Sequence, residues 1–397
     1  MSGFAKRTIR DVDPSGKKVL VRVDFNVPLA DGAVADDTRI RASLPTLRYL
    51  LDRRAIVALC SHLGRPKGPD PKQSLAPVAK RLSTLLGREV PLLPDCVGPA
   101  IRESVARLRP GDAVLLENLR FHPEEERNDP AFARELATGF ELYVNDAFGA
   151  AHRAHASTEG VAKILPAYAG LLLEKELVAL GGLMSDPKQP FLAIIGGAKV
   201  STKMDVLRSL ASRVDALAIG GGMANTFLLA SGKEVGRSLA EPDLVGDARA
   251  VSETMRRERK ELLLPVDVLC APSADDAGAK GASAYDVDAV PADQAIVDIG
   301  PRTVERYSGI IARAKTIFWN GPMGVFEVPA FSAGTKRVAE LVAASGAVSV
   351  VGGGESVQAV VDMGLADKMT HVSTGGGASL ELIEGKTLPG VAAIPDA

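Results

Sequence analysis

Arg39, Arg65, Arg120 and Arg153 lie in four separated stretches of the first half of the chain, DDTRIRAS, SHLGRPKG, ENLRF and AAHRAHAS. An arginine presents a planar fork of donors that matches carboxylate and phosphate groups. Several of them brought to one place repel one another unless an anion sits among them. VRVDFNVP adds Asp24 and Asn26, and SHLGRPKG adds His62 beside Arg65. Together these stretches read as a receptor for a small, multiply anionic molecule. Ser43 is placed to cap a helix that begins just after Arg39 and Arg41. His152 and His155 lack the spacing of a metal site, and Glu124–Glu126 read as a solvated face.

The second half carries a different chemistry. FLAII runs into Gly196 and Gly197, ALAI into Gly220, and IFW into Asn320 of NGPMGVFE, which also contains Glu327. VSVV runs into Gly353, Gly354, Glu355 and Ser356, and HVST into a glycine triplet containing Gly376. Glycine lets a ligand approach the backbone, and the amides at a following helix start bind phosphate. Lys199 and Lys203 are four residues apart and share a face if helical; near a helix start they oppose the macrodipole, a penalty that a polyphosphate reverses. The pattern is that of a nucleotide site. It contains neither G-x-x-x-x-G-K-[ST] nor G-x-G-x-x-G, which counts against P-loop and dinucleotide proteins, dehydrogenases included.

Apart from Arg39 and Arg41, which precede a helix, these residues follow short apolar runs. Runs at 18–23, 55–60, 113–116, 142–144, 191–195, 216–219, 265–270, 295–299, 316–319, 348–351 and 371–373 alternate with helical patterns such as 76–87 and 331–345. Alternation of this kind predicts parallel sheets with helices on both faces, and ligands then bind outside the carboxyl ends of the strands. A chain of 397 residues exceeds the size of one core. Leu173, Leu177, Leu180 and Met184 follow helical spacing, and SDPKQP (185–190) stops that helix, so a domain boundary is placed there; a single large sheet is the alternative. The expectation is an α/β protein of two doubly wound, Rossmann-like domains joined by a helix, with a cleft between them.

A net charge of −2 and 4% aromatics argue against a nucleic-acid or membrane-surface binder. The start carries no apolar signal core. Cys60, Cys96 and Cys270 are widely spaced without a metal-ligand rhythm and read as reduced, buried thiols.

Taken together, VRVDFNVP, DDTRIRASLPT, SHLGRPKG, ENLRFHPEE, NDAFGAAHRAHAST, GGAKVSTKM, WNGPMGVFE, VVGGGES and HVSTGGGASLELIEGKTLPG resemble the phosphoglycerate kinase family, in order and along the whole chain. The resemblance implies reversible phosphoryl transfer between 1,3-bisphosphoglycerate and ADP, giving 3-phosphoglycerate and MgATP. It implies a substrate site at Asp24, Phe25, Asn26, Arg39, His62, Leu63, Gly64, Arg65, Arg120 and Arg153. Nucleotide binding falls to Gly196, Gly197, Lys199, Lys203, Gly220, Asn320, Glu327 and Gly353 to Ser356, and catalysis to Arg39, Lys199, Lys203 and Gly376. Domains are expected at 1–170 and 186–384, linked by 171–185, with 385–397 returning to the first. A cytoplasmic monomer is expected. Glu355 stands where the family more often has aspartate near the nucleotide-bound magnesium, which implies an adjusted metal geometry.

Overall fold

The computed structural model describes residues 4–275, 280 and 282–397. The chain divides into two compact units, Met1–Gly181 with Thr387–Ala397, and Gly182–Lys386.

The first unit is built on a five-stranded parallel sheet. Across it lie Ala113–Leu115, Ile56–Cys60, Lys18–Val23, Leu142–Asp146 and Ala167–Ala169. In chain order that is 3-2-1-4-5, the doubly wound arrangement. Every residue of Ile56–Cys60 and Leu142–Asp146 is buried, as strands covered on both faces require. The C-terminal segment belongs to this unit: Gly390 N donates to Ala151 O at 2.8 Å, and Asn145 Nδ2 donates to Gly390 O at 3.1 Å.

The second unit holds a six-stranded parallel sheet: Glu261–Leu263, Ala216–Ile219, Phe191–Ile195, Thr316–Asn320, Val348–Gly352 and His371–Val372. A separate antiparallel sheet pairs Asp267–Ala271 with Ser283–Asp286 and with Ala295–Ile299. Two strands expected in the parallel sheet, at 265–270 and 295–299, are therefore antiparallel. Apolar runs do not encode partner direction, because both sheet types bury the same side chains. Among the described residues, no helix is long and apolar enough to cross a membrane.

The helix Leu171–Ser185 buries Leu173, Leu177, Leu180 and Leu183, whereas Met184 is half-buried. Its start is anchored in the first unit. Leu171 N donates to Thr46 Oγ1, and Leu172 and Leu173 N donate to Asp146 Oδ1.

The helix Thr38–Asp52 begins earlier than expected and contains Arg39 in its first turn. Ser43 lies inside it, buried, with its hydroxyl unpartnered. The expected Ser43 cap is thus wrong. The cap position belongs to Asp37, whose carboxylate instead engages Arg41 and Arg81.

Candidate active site

In a parallel sheet every carboxyl end lies on one edge, so residues far apart in sequence meet there. In the first unit that edge gathers Asp24, His62, Arg120 and Arg153. His62 is almost fully buried, and Arg22, Arg120, Arg153 and Arg39 all act on it electrostatically. Burial, followed by these cations, holds its pKa well below the usual 6.5, so the ring is neutral. The Arg22 guanidinium donates to His62 Nδ1 at 3.1 Å. Arginine has no acceptor, so the imidazole proton is fixed on Nε2, as a neutral donor for an anion.

The remaining residues hold this pocket in shape. Asn118 Oδ1 accepts from Leu63 N and Arg120 N, both at 3.1 Å, while its Nδ2 donates to Leu63 O and Gln73 O. Gly64 N donates to Asn26 Oδ1 at 2.9 Å, and Gly64 O accepts from Arg120. Gly64 has φ +63, and a Cβ there would lie 2.0 Å from Gln73 Oε1. The glycine among these cations is thus the knot that ties Asn26 to Arg120; its left-handed φ strains any other residue, and a Cβ would displace the end of the Gln73 side chain. Arg39 donates to Asp24 Oδ2 at 3.0 Å and to Asn26 O at 3.3 Å. Phe25 is fully buried, its N donating to Ser61 Oγ. Arg65 is exposed, and Arg153 is half-buried with Nε donating to His152.

The second unit presents its glycines along the corresponding edge. Gly196 N donates to Asn320 O, Gly197 N to Pro322 O, Gly220 N to Ile195 O and Gly221 N to Met323 O. Gly321 has φ +95, and a Cβ there would lie 2.2 Å from Gly196 O. Its N donates to Ser356 Oγ, which in turn donates to Gly352 O. Beside this edge lies a cavity of about 580 Å³, lined by Gly197, Ala198, Gly221, Leu239, Pro322, Val325, Glu327 and Glu355 among others. Its size suits a nucleoside. Asn320 is buried and neither polar atom of its amide has a partner. Gly376, with φ +52, precedes the helix Gly377–Ile383.

A family model described as phosphoglycerate kinase matches residues 9–386. The chain belongs to the phosphoglycerate kinase family. The enzyme of that name from Chloroflexus aurantiacus is 58% identical, with 99% of each chain covered, and that of Moorella thermoacetica 56%, covering 99% of this chain and 100% of the relative. The solved phosphoglycerate kinase of Coxiella burnetii has a TM-score of 0.89 at 41% identity; that of Pyrococcus horikoshii has 0.85 at 35%. Each covers 98% of both chains. By family, the chain is a phosphotransferase acting in glycolysis.

Against that family frame, three sequence expectations need correction or addition. Lys199 and Lys203 do not share a regular helix. They flank the short turn Val200–Thr202, with Lys199 exposed and Lys203 turned inward, its Nζ donating to Gly196 O at 2.7 Å. Glu125 is no solvated residue: it is 1% exposed and accepts from Ser157 N and Oγ. Arg22 was not singled out as functional, although a charge inside KVLVRV was itself a signal, since a buried guanidinium must be paired.

Lys203 carries a pH dependence. Burial lowers its pKa from 10.5 to about 8, with Glu355 opposing the shift. A bound polyphosphate favours the ammonium form. Nucleotide affinity should therefore fall as pH rises through about 8, and binding at about pH 9 should take up protons. Calorimetry of ADP binding in two buffers of different ionisation enthalpy measures that uptake, and Lys203→Met should abolish it.

Proposed function

We propose that the cation edge of the first unit receives the phosphoglycerate and the glycine edge of the second receives the nucleotide. The phosphoryl group then passes between 1,3-bisphosphoglycerate and ADP without a general base. A carboxylate acceptor is ionised at neutral pH, so no proton needs to be removed from it. His62, held neutral, serves as a donor rather than a base. Catalysis then reduces to positioning the reactants, excluding water and neutralising charge on the transferring group. Arg39 and Lys199 supply that charge, with the amides after Gly353 and Gly376 as further donors.

The second edge fits a magnesium nucleotide. Asn320 offers a buried amide without partners, and Gly353, at φ +89, leaves it open, since a Cβ there would lie 2.7 Å from Asn320 Nδ2. Glu355 is an exposed carboxylate in the first turn of the following helix, placed to meet the ion directly or through water. When bound, magnesium would neutralise phosphate charge. Both pockets are built from one chain, and Cys60, Cys96 and Cys270 are free and buried. These features support a monomer in a reducing cytoplasm.

The contrast between the two carboxyl edges carries this assignment. Its test is turnover of MgATP and 3-phosphoglycerate, followed through a coupled dehydrogenase that consumes the acyl phosphate. Arg153→Ala should raise KM for 3-phosphoglycerate with little change in KM for ATP, and Lys203→Met the reverse. Equal movement of both constants in both variants would overturn the map, and no turnover by folded protein would overturn the function.

A further inference from the structure

Away from the nucleotide edge, the first unit brings together three side chains of a different character. Asp95 and Cys96 lie in the segment that follows Leu92, which bridges to Leu115 of the sheet. His122 ends the turn Leu119–Phe121. One ligand atom from each lies within 4.8 Å of the other two, the one such group of three among the described residues. His122 Nε2 hydrogen-bonds Asp95 Oδ1 at 2.7 Å.

We propose that Asp95, Cys96 and His122 form a binding site for a thiophilic divalent cation of the zinc type, distinct from the magnesium of the nucleotide. The donor set is thiol, imidazole and carboxylate, which suits zinc or cobalt and not magnesium or calcium, whose ligands are oxygens. Three protein ligands with a fourth position left to water is an established zinc arrangement. Zinc holds its ligands at about 2.0–2.3 Å, so a donor triangle with sides up to 4.8 Å closes onto the ion through side-chain shifts of about an ångström. The side chains of Asp95 and His122 are 48% and 28% exposed, which leaves an entry path and room for the water. Cys96 is only 3% exposed and forms the floor.

The surroundings restrict where these donors can go. Cys96 N donates to Asp95 Oδ1 at 2.6 Å, and Glu117 N donates to Asp95 O at 3.3 Å. The His122 ring packs against Phe132 with centroids 5.2 Å apart. On binding, the Cys96 S–H bond breaks and its proton passes to solvent while sulfur donates its pair to the metal. His122 takes the tautomer protonated on Nδ1 and donates from Nε2. No redox change is involved. Sequence spacing hid this group, because Cys96 and His122 are 26 residues apart (122 − 96) and meet only across the fold.

The test uses the full chain with cobalt(II) as probe, since a cobalt–thiolate bond gives a charge-transfer absorption in the near ultraviolet. One cobalt per chain should bind with that band, zinc should displace it, and excess magnesium should leave it unchanged. Cys96→Ser should remove the band. His122→Gln, a half-exposed position whose loss leaves the core intact, should weaken zinc binding by more than about a hundredfold, and Asp95→Asn should weaken it also. Absence of the band in the native chain, or its survival in Cys96→Ser or unchanged in His122→Gln, overturns the proposal. Survival in Cys96→Ser would assign the thiolate to Cys60 or Cys270, and an unchanged band in His122→Gln would remove the imidazole from the site.

Discussion

Arg39→Ala is expected to lower kcat by about a thousandfold or more while changing either KM far less. Arg39 lies in the first turn of the helix Thr38–Asp52, and Asp24 and the carbonyl of Asn26 hold one of its amino groups. That leaves the rest of the guanidinium fork, on a half-exposed side chain, for a ligand. An interaction made mainly with charge that develops during transfer appears in kcat rather than in KM. Arg39→Lys should recover only part of the rate, because an ammonium keeps the charge and loses the fork. Steady-state kinetics decide the matter. A near-normal kcat with a raised KM for 3-phosphoglycerate would make Arg39 a substrate holder like its neighbours.

Arg22→Met should destabilise the first unit by about 3–5 kcal/mol, the usual cost of leaving a buried charge without its partner. Arg22 is 1% exposed and donates through Nε to Ser157 Oγ at 2.8 Å; that hydroxyl donates to Glu125 Oε1 at 2.5 Å. Burial raises the Glu125 pKa, and Arg22 is the first influence opposing that rise. With Arg22 gone, the carboxylate is left uncompensated. Glu125→Gln added to Arg22→Met should recover most of the denaturation midpoint. It should not recover affinity for 3-phosphoglycerate, because His62 still lacks the donor that fixes its tautomer. Recovery of both properties together would show that Arg22 acts on stability alone.

These two arginines differ in how visible they are in sequence. Arg39 stands in a polar stretch beside a helix start, one of several arginines whose repetition along the first half made it a candidate for an anion contact. Arg22 sits in a strand, and its role depends on His62, Ser157 and Glu125, none of them near it in the chain. The glycine edge of the second unit was legible for a local reason. A strand that ends in Gly-Gly and enters a helix has the same geometry whatever its neighbours, and a parallel sheet collects all such ends. Glu125 was misread because a run of three acids looks solvated, and only the turn after His122 directs the middle one inward. The strands Ala167–Ala169 and Ser283–Asp286 were missed because alanine and polar residues dominate them, and Glu261–Leu263 because it opens on an exposed glutamate.

By itself the sequence determined the doubly wound class, the two kinds of strand end and the candidate residues for anion contact, because each rests on properties of a few consecutive residues. Only the tertiary structure decided which strands run antiparallel, that Lys203 turns inward while Lys199 stays exposed, and that Arg22, Glu125 and the Asp95–Cys96–His122 group have the partners they do. Those outcomes depend on contacts between segments distant in the chain, where burial changes the charge, tautomer and reach of a group, and local spacing carries no record of them.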